Sequence, residues 1–264
     1  MKLTANIMVY NEEFWISKQL PHIYDFFDEI IICDGCEVNN TPNSHGFFTP
    51  NDNGLSSDNT KGVIEAFPDP DNKIRYIEHG VCGNKLELNK IMYDKSTSDY
   101  VWLIDADEFY LLDKMSGIKK YLIENTEINQ INFRMRHFID FDSCIHMEGG
   151  ERWGDNIDIC RIFRKEVGNN FTTHRPPTIQ FKTAGRIIGR DESLTNRWIM
   201  YHYPYVFEWQ VERKSIFYPN GQELKRLISS WRENHNIPLL YGSKTIPFSG
   251  KHPEVIDKYL KGKI

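Results

Sequence analysis

Short apolar runs separated by amphipathic stretches dominate the first half of the chain. Leu3 to Val9 predicts a strand, and Asn11-Glu12-Glu13 opens a helix carrying Phe14, Trp15, Ile16 and Leu20. Glu29 to Cys33 is almost continuously apolar, the pattern of a strand covered on both faces in a parallel sheet. It stops at Asp34-Gly35. Residues 37–57 are polar and rich in Asn, Ser, Pro and Gly, which predicts a long surface loop. Loops of that length inside a compact domain are uncommon and often functional. Thr60 to Phe67 resumes as a helix, with Asp58 or Asn59 as its cap. A strand follows from Lys73 to Glu78, then a helix from Lys85 to Tyr93 that turns Leu86, Leu88, Ile91 and Met92 to the core. Tyr100 to Ile104 is another buried strand and runs into Asp105-Ala106-Asp107-Glu108.

This alternation predicts an α/β fold of right-handed βαβ units with a mainly parallel sheet. Past residue 115 the rhythm loosens. Ile118 to Glu124 reads as a helix, Gln130 to Phe138 and Ile157 to Arg164 as strands, residues 171–203 as short strand-like pieces and residues 206–233 as mainly helical. The organisation expected is a nucleotide-binding half over residues 1–115, an acceptor-binding and catalytic half over 116–205, and a helical region over 206–264.

Composition narrows the function class. With 264 residues, 40% hydrophobic and 13% aromatic, the chain is long enough for one sizeable core. The net charge of −5 comes without a basic stripe, so a nucleic-acid partner is not expected. No apolar stretch approaches the ~20 residues that span a bilayer, and the N-terminus turns acidic at Glu12-Glu13. No transmembrane segment or signal peptide is expected, and the five scattered cysteines fit a reducing, cytoplasmic setting. Cys33-Asp-Gly-Cys36 has the spacing of a metal or redox pair, but no second pair follows. Cys33 reads instead as a small apolar strand residue.

In open α/β sheets, ligands bind beyond the carboxyl ends of the strands. Two strands deliver acids to that edge: Asp34 after EIIIC, and Asp105 with Asp107 after YVWLI. Carboxylates two residues apart at a strand end can face one hard divalent cation, which takes its remaining oxygens from phosphates and water.

These features occur in an order that resembles glycosyltransferase family 2 with its GT-A fold, over Ile7 to Phe109. The matching pieces are a strand followed by Asn11-Glu12, then Asp34-Gly35, Ser57-Asp58-Asn59-Thr60, a helix with Lys85, Glu87 and Asn89, and Leu103-Ile104-Asp105-Ala106-Asp107-Glu108-Phe109. The family's acidic run after the second strand is split here by residues 36–56. The resemblance implies a GT-A, Rossmann-like mixed sheet flanked by helices and a nucleotide-sugar donor, a UDP-sugar first. It also implies Mn2+ or Mg2+ on the diphosphate and inverting transfer to a carbohydrate acceptor. Carried over to this chain, Asp34 would contact the base and Asp105 the ribose and metal shell, while Asp107 would ligate the metal. Tyr10 and Asn11 would line the nucleotide pocket beside Asp58. Lys85 would approach the donor phosphates or lie along its helix.

The second half departs from the family's best-known pattern, because no QxxRW motif is present. His202, in Tyr201-His-Tyr203, is the expected late metal ligand, with His174 as the alternative. An inverting transfer needs a base for the acceptor hydroxyl, and Asp155 is the first choice and Glu151 the second among Glu148, Glu151, Asp155 and Asp158. The aromatic run Trp198, Tyr201, Tyr203, Tyr205, Phe207 and Trp209 reads as a sugar-stacking surface or as core packing. Two other readings of the acidic turn stay open. A phosphohydrolase of the haloacid-dehalogenase type also places Asp-x-Asp after a strand, although Phe109 stands where that type has Thr or Val. The other is a non-catalytic nucleotide- or carbohydrate-binding module.

Overall fold

The computed structural model describes residues 1–37, 53–147, 159–174, 177–217, 221–234 and 243–262. In chain order the elements are β1 (Leu3–Val9), α1 (Glu13–Ile23), β2 (Glu29–Glu37), α2 (Thr60–Ala66), β3 (Ile74–Cys82), α3 (Lys85–Lys95) and β4 (Tyr100–Asp105). Then come β5 (Glu108–Phe109), α4 (Leu112–Glu124), β6 (Ile128–Asp140), β7 (Ser143–Met147), β8 (Ile159–Arg164), β9 (Asn170–His174), β10 (Pro177–Gln180) and β11 (Arg186–Ile188). The chain closes with α5 (Arg190–Thr195), β12 (Ile199–His202), α6 (Glu208–Phe217), α7 (Gly221–Asn234), β13 (Ser243–Pro247) and α8 (Glu254–Leu260).

The main sheet runs β13-β7-β6-β8-β4-β1-β2-β3. Strands β3, β2, β1 and β4 are mutually parallel. β8 inserts antiparallel between β4 and β6, so β6 points the same way as the parallel block. β12 and β11 both join β6 in parallel, and β12 also pairs antiparallel with β5. The mixed, mainly parallel α/β sheet expected from the sequence is the one observed. β9 and β10 form a separate hairpin, whose Phe171 meets Tyr93 of α3 edge-on at 5.2 Å.

Both faces of the parallel block are covered, which explains its near-continuous apolar strands. Leu3, Ala5, Ile7 and Val9 of β1 and Ile30 and Ile32 of β2 pack on the α1 face with Trp15, Leu20, Trp102 and Phe109. Ile31 and Cys33 face the other way onto Leu88 and Met92 of α3. The buried face of α3 is thus Leu88, Asn89, Met92 and Tyr93, while Leu86 and Ile91 are half-buried. Asn84 caps that helix by accepting from the Leu86 amide at 2.8 Å.

Several elements are longer than the apolar runs that announce them. β2 continues through Asp34-Gly35 to Glu37 and β3 to Cys82, because the two strands stay paired across a register shift at Asp34/Gly35. A Cβ on Gly35 would lie 2.6 Å from the Gly80 carbonyl oxygen, so only glycine lets the strands approach there. α4 begins at Leu112, well before Ile118. No helix among the described residues is long and apolar enough to cross a membrane.

Candidate active site

The carboxyl ends of β1, β2 and β4 lie side by side, since Val9 is in register with Asp34 and Met8 with Asp105. The acids of the split motif therefore meet at one sheet edge, although the insertion separates them in sequence.

On the β2 side, Asp34 is 1% exposed and its carboxylate is fully engaged. It accepts from the Ser56 amide at 3.1 Å, the Ser56 hydroxyl at 2.9 Å and the Tyr76 hydroxyl at 2.7 Å. Burial raises its pKa, and these donors work against that rise. Asn11, at the end of β1, sits in the left-handed region at φ 55°. Its side-chain oxygen accepts from the Ser57 amide at 2.7 Å and the Asp58 amide at 3.3 Å, and its own amide donates to Ser56 Oγ at 2.9 Å. Asp58 accepts from the Thr60 amide at 3.0 Å and the Glu13 amide at 3.1 Å, so it ties the starts of α2 and α1 together. Asp34, Asn11 and Asp58 thus hold the segment 53–60 against the sheet edge.

On the β4 side, the acidic turn splits its charges between two cation groups. Arg161 of β8 donates through Nε to Glu108 at 2.8 Å and through Nη2 to both Glu108 and Asp105, the latter at 3.0 Å. Glu108 is completely buried, and its Oε2 also accepts the Asp105 amide at 3.2 Å. Burial presses the Glu108 carboxyl up to about 7 against the pull of Arg161. Asp107 points the other way. Its Oδ1 lies 3.3 Å from His202 Nε2 and its Oδ2 3.7 Å from Lys214 Nζ. Burial would raise the Asp107 carboxyl, but His202 and Lys214 outweigh it and hold the group well below the usual carboxylate range. Asp107 is 7% exposed and stays an anion.

Helix α6 bridges the two sides through consecutive residues. Arg213 donates to the Tyr10 carbonyl at 3.1 Å and the Asn11 carbonyl at 2.8 Å, and pairs with Glu12. Lys214 reaches Asp107. Burial raises Glu12 to about 7, with Arg213 opposing. Trp209, one turn earlier on α6, is 40% exposed beneath the Arg213 guanidinium at 5.3 Å.

The structure brings together Tyr10, Asn11, Asp34, Asp58, Asp105, Asp107 and His202. Lys85 opens α3 directly after the carboxyl end of β3 and is half-buried there. Glu148, Glu151, Asp155 and Asp158 lie outside the described residues, as does the side chain of His174. Of the aromatic run, Trp198, Tyr201 and Tyr203 are buried and belong to the main core, so core packing accounts for them. The Cys33 thiol is buried and unoxidised, and burial pushes it up to about 12.

Residues with no role assigned from sequence turn out to neutralise the site: Arg161, Arg213 and Lys214. Their signal was weak. Arg161 sits in an apolar strand, where a buried arginine demands a carboxylate partner, and Glu108 supplies it.

Asp107 and His202 face each other with one ionised oxygen ligand and one imidazole nitrogen, a donor pair suited to Mn2+. Among the described residues no group of three or more His, Cys, Asp or Glu could hold a metal by itself. Such an ion would take its other ligands from a bound phosphate and water. Asp105 engages Arg161 through Oδ2, and its side chain is 38% exposed.

No family model matches the chain, and no curated protein matches it. Solved structures do. It is similar to the mannosyltransferase PcManGT from Pyrobaculum calidifontis in complex with GDP-Man and Mn2+, at 14% identity, over 99% of this chain and 68% of that one, with a TM-score of 0.48. It is also similar to residues 1–349 of S. aureus TarS in complex with UDP-GlcNAc, at 13% identity, over 82% of this chain and 66% of that one, TM-score 0.45. A third is glucosyl-3-phosphoglycerate synthase from Mycobacterium tuberculosis with Mn2+, UDP-glucose and phosphoglyceric acid: 16% identity, 51% of this chain, 44% of that one, TM-score 0.37. In the longer S. aureus TarS structure the match spans 39% of that chain. The structures it is similar to are GT-A-type glycosyltransferases, the type named from the sequence motifs.

Proposed function

We propose that this protein is a metal-dependent glycosyltransferase that moves a sugar from a nucleotide diphosphate sugar, a UDP-sugar first, to a carbohydrate acceptor with inversion. The observation that carries this reading is the ionised Asp107 opposite His202 at the edge where β1, β2 and β4 end. A carboxylate kept charged while almost fully buried is primed to receive a cation, and the sheet edge is where a nucleotide fits.

In this reading the base and ribose lie against the segment that Asn11 and Asp34 hold in place. The diphosphate lies over the acidic turn. A divalent cation bound there supplies Lewis-acid stabilisation of the departing diphosphate. Asp107 and His202 would hold it. Arg161 keeps Glu108 and Asp105 from adding repulsion toward the phosphates, and Lys214 offers a further positive charge beside them. Asp155, with Glu151 second, is proposed to take the acceptor proton. Glu12 and Glu108 are excluded from that task because each is locked to an arginine. A haloacid-dehalogenase reading would need Asp105 as a free nucleophile, and its pairing with Arg161 opposes that role.

The test is a hydrolysis screen of UDP- and GDP-sugars with and without Mn2+. The reading expects turnover of at least one donor that disappears on chelation and returns with Mn2+. Phosphate release from simple phosphoesters with no nucleotide-sugar turnover would replace it with the phosphohydrolase reading.

A further inference from the structure

The turn that leaves β1 is stretched between two distant parts of the chain. On one side, three successive backbone amides donate to side chains of the segment 56–60. Asn11 donates to Ser56 Oγ at 2.9 Å, Glu12 to Thr60 Oγ1 at 2.8 Å and Glu13 to Asp58 Oδ2 at 3.1 Å. On the other side, Arg213 of α6 donates through Nη1 to the Tyr10 carbonyl at 3.1 Å and the Asn11 carbonyl at 2.8 Å. Its Nη2 pairs with the Glu12 carboxylate.

Peptide planarity joins the two sides. The Tyr10 carbonyl and the Asn11 amide belong to one rigid plane, and the Asn11 carbonyl and the Glu12 amide to the next. Each plane therefore carries Arg213 on its oxygen edge and Ser56 or Thr60 on its nitrogen edge. Turning either plane breaks a bond on both sides. Between the planes sits Asn11 at φ 55°, a conformation that residues other than glycine keep only where their surroundings over-determine it. Arg213 on the carbonyls and the segment 56–60 on the amides supply that determination.

The arrangement needs arginine. A guanidinium offers several N–H donors in one fixed plane, so it can bond two carbonyls and a carboxylate at once. An ammonium is a point charge on a flexible stem. Trp209 adds a cation–π contact to the guanidinium, 5.3 Å from its ring centre.

We propose that Arg213 is a positioning residue for the nucleotide: by holding the Tyr10 and Asn11 carbonyls, it sets the orientation of the segment 56–60 against which base and ribose lie. This inference rests on the nucleotide-binding reading of the site given above.

The test is calorimetric binding of UDP and of GDP to the full chain, with Mn2+ and with chelator. Arg213→Lys keeps a cation for Glu12 but cannot span both carbonyls. It is expected to weaken the better-bound nucleotide about tenfold, the scale of effects transmitted through a packed network. The factor should be the same with and without Mn2+, because Asp107 and His202 are left in place. Ser56→Ala supplies a readout that a purely structural arginine would not move. It removes the acceptor on the nitrogen edge of the first plane, so adding Arg213→Lys to it should cost only about twofold more. If Arg213→Lys does not fold, Glu12→Gln/Arg213→Met, which withdraws both charges together, replaces it with the same expectations. Three results overturn the inference and leave the functional reading standing: wild-type affinity in the Arg213 variant, a loss confined to the Mn2+ condition, or losses that simply multiply when combined with Ser56→Ala. A wild type that binds neither nucleotide overturns both.

Discussion

Asp107 and Lys214 face each other across the acidic turn, with Oδ2 and Nζ 3.7 Å apart, and α6 is the element that brings them together. The lysine stands where a divalent ion would repel it. Replacing it should therefore act in opposite directions on two measurements. Lys214→Met is expected to destabilise the metal-free fold by about 1–3 kcal/mol, because the buried Asp107 loses one of the cations around it. The same variant should bind Mn2+ more tightly when no nucleotide is present. Urea unfolding and Mn2+ titration check the two halves, and a drop in both would show that Lys214 is a structural residue only.

Arg161 is expected to be indispensable for folding. Arg161→Met leaves the completely buried Glu108 without its counter-charge and should cost about 3–5 kcal/mol. Pairing it with Glu108→Leu should recover much of that loss, since removing both partners is milder than stranding one. A double-mutant cycle by urea unfolding measures the coupling.

Asn11 combines a left-handed backbone with two side-chain bonds to residues 57 and 58. Asn11→Ala loses the bonds and strains the backbone. Asn11→Gly loses only the bonds. Alanine should therefore be the more damaging change by about 1 kcal/mol, an inversion of the usual order. Equal effects would mean that the conformation at residue 11 is relaxed in solution.

Acid should destabilise the protein well above the range where carboxylates titrate. Burial lowers His22 to about 4, and its Nε2 donates to the Tyr110 carbonyl at 2.8 Å. The unfolded chain takes up this proton near the ordinary histidine value of about 6.5, so the stability His22 contributes is full above that pH. It is lost progressively as pH falls toward the folded value, with a slope of at most about 1.4 kcal/mol per pH unit. Burial lowers His137 and His252 as well, and they add in the same direction. His22→Gln keeps a donor to Tyr110 and should flatten the fall in urea midpoint between about pH 6.5 and 4.5; an unchanged profile would contradict the assignment.

Much of the parallel block was legible in the sequence because β1, β2 and β4 are buried on both faces and its helices carry one apolar side. EIIIC and YVWLI are short and rich in β-branched or aromatic residues, and each is followed directly by an acid, Asp34 or Asp105, at the sheet edge. Their limits were not legible. β2 runs on through Asp34-Gly35 because a tertiary partner, β3, continues to pair with it across a register shift. The split motif was readable as separate pieces, yet only the fold shows Ser56 donating to Asp34 and Asn11 accepting from Ser57. The cations escaped notice for a different reason. Arg161 and Arg213 sit in β8 and α6, far along the chain from Glu108 and Glu12, and Lys214 is as remote from Asp107. No local pattern marks one lysine on an amphipathic helix as the partner of a distant aspartate.

The central claim is that Asp107 receives a divalent ion together with a nucleotide diphosphate. Its most direct test is calorimetric binding of UDP, and of GDP, to the wild type and to Asp107→Asn, each with Mn2+ and with chelator, after circular dichroism confirms that the variant is folded. The account predicts that the wild type binds one of the two much more tightly with Mn2+, and that Asp107→Asn binds it equally weakly with or without the ion. Mn2+-enhanced binding that survives intact in a folded Asp107→Asn protein would contradict it.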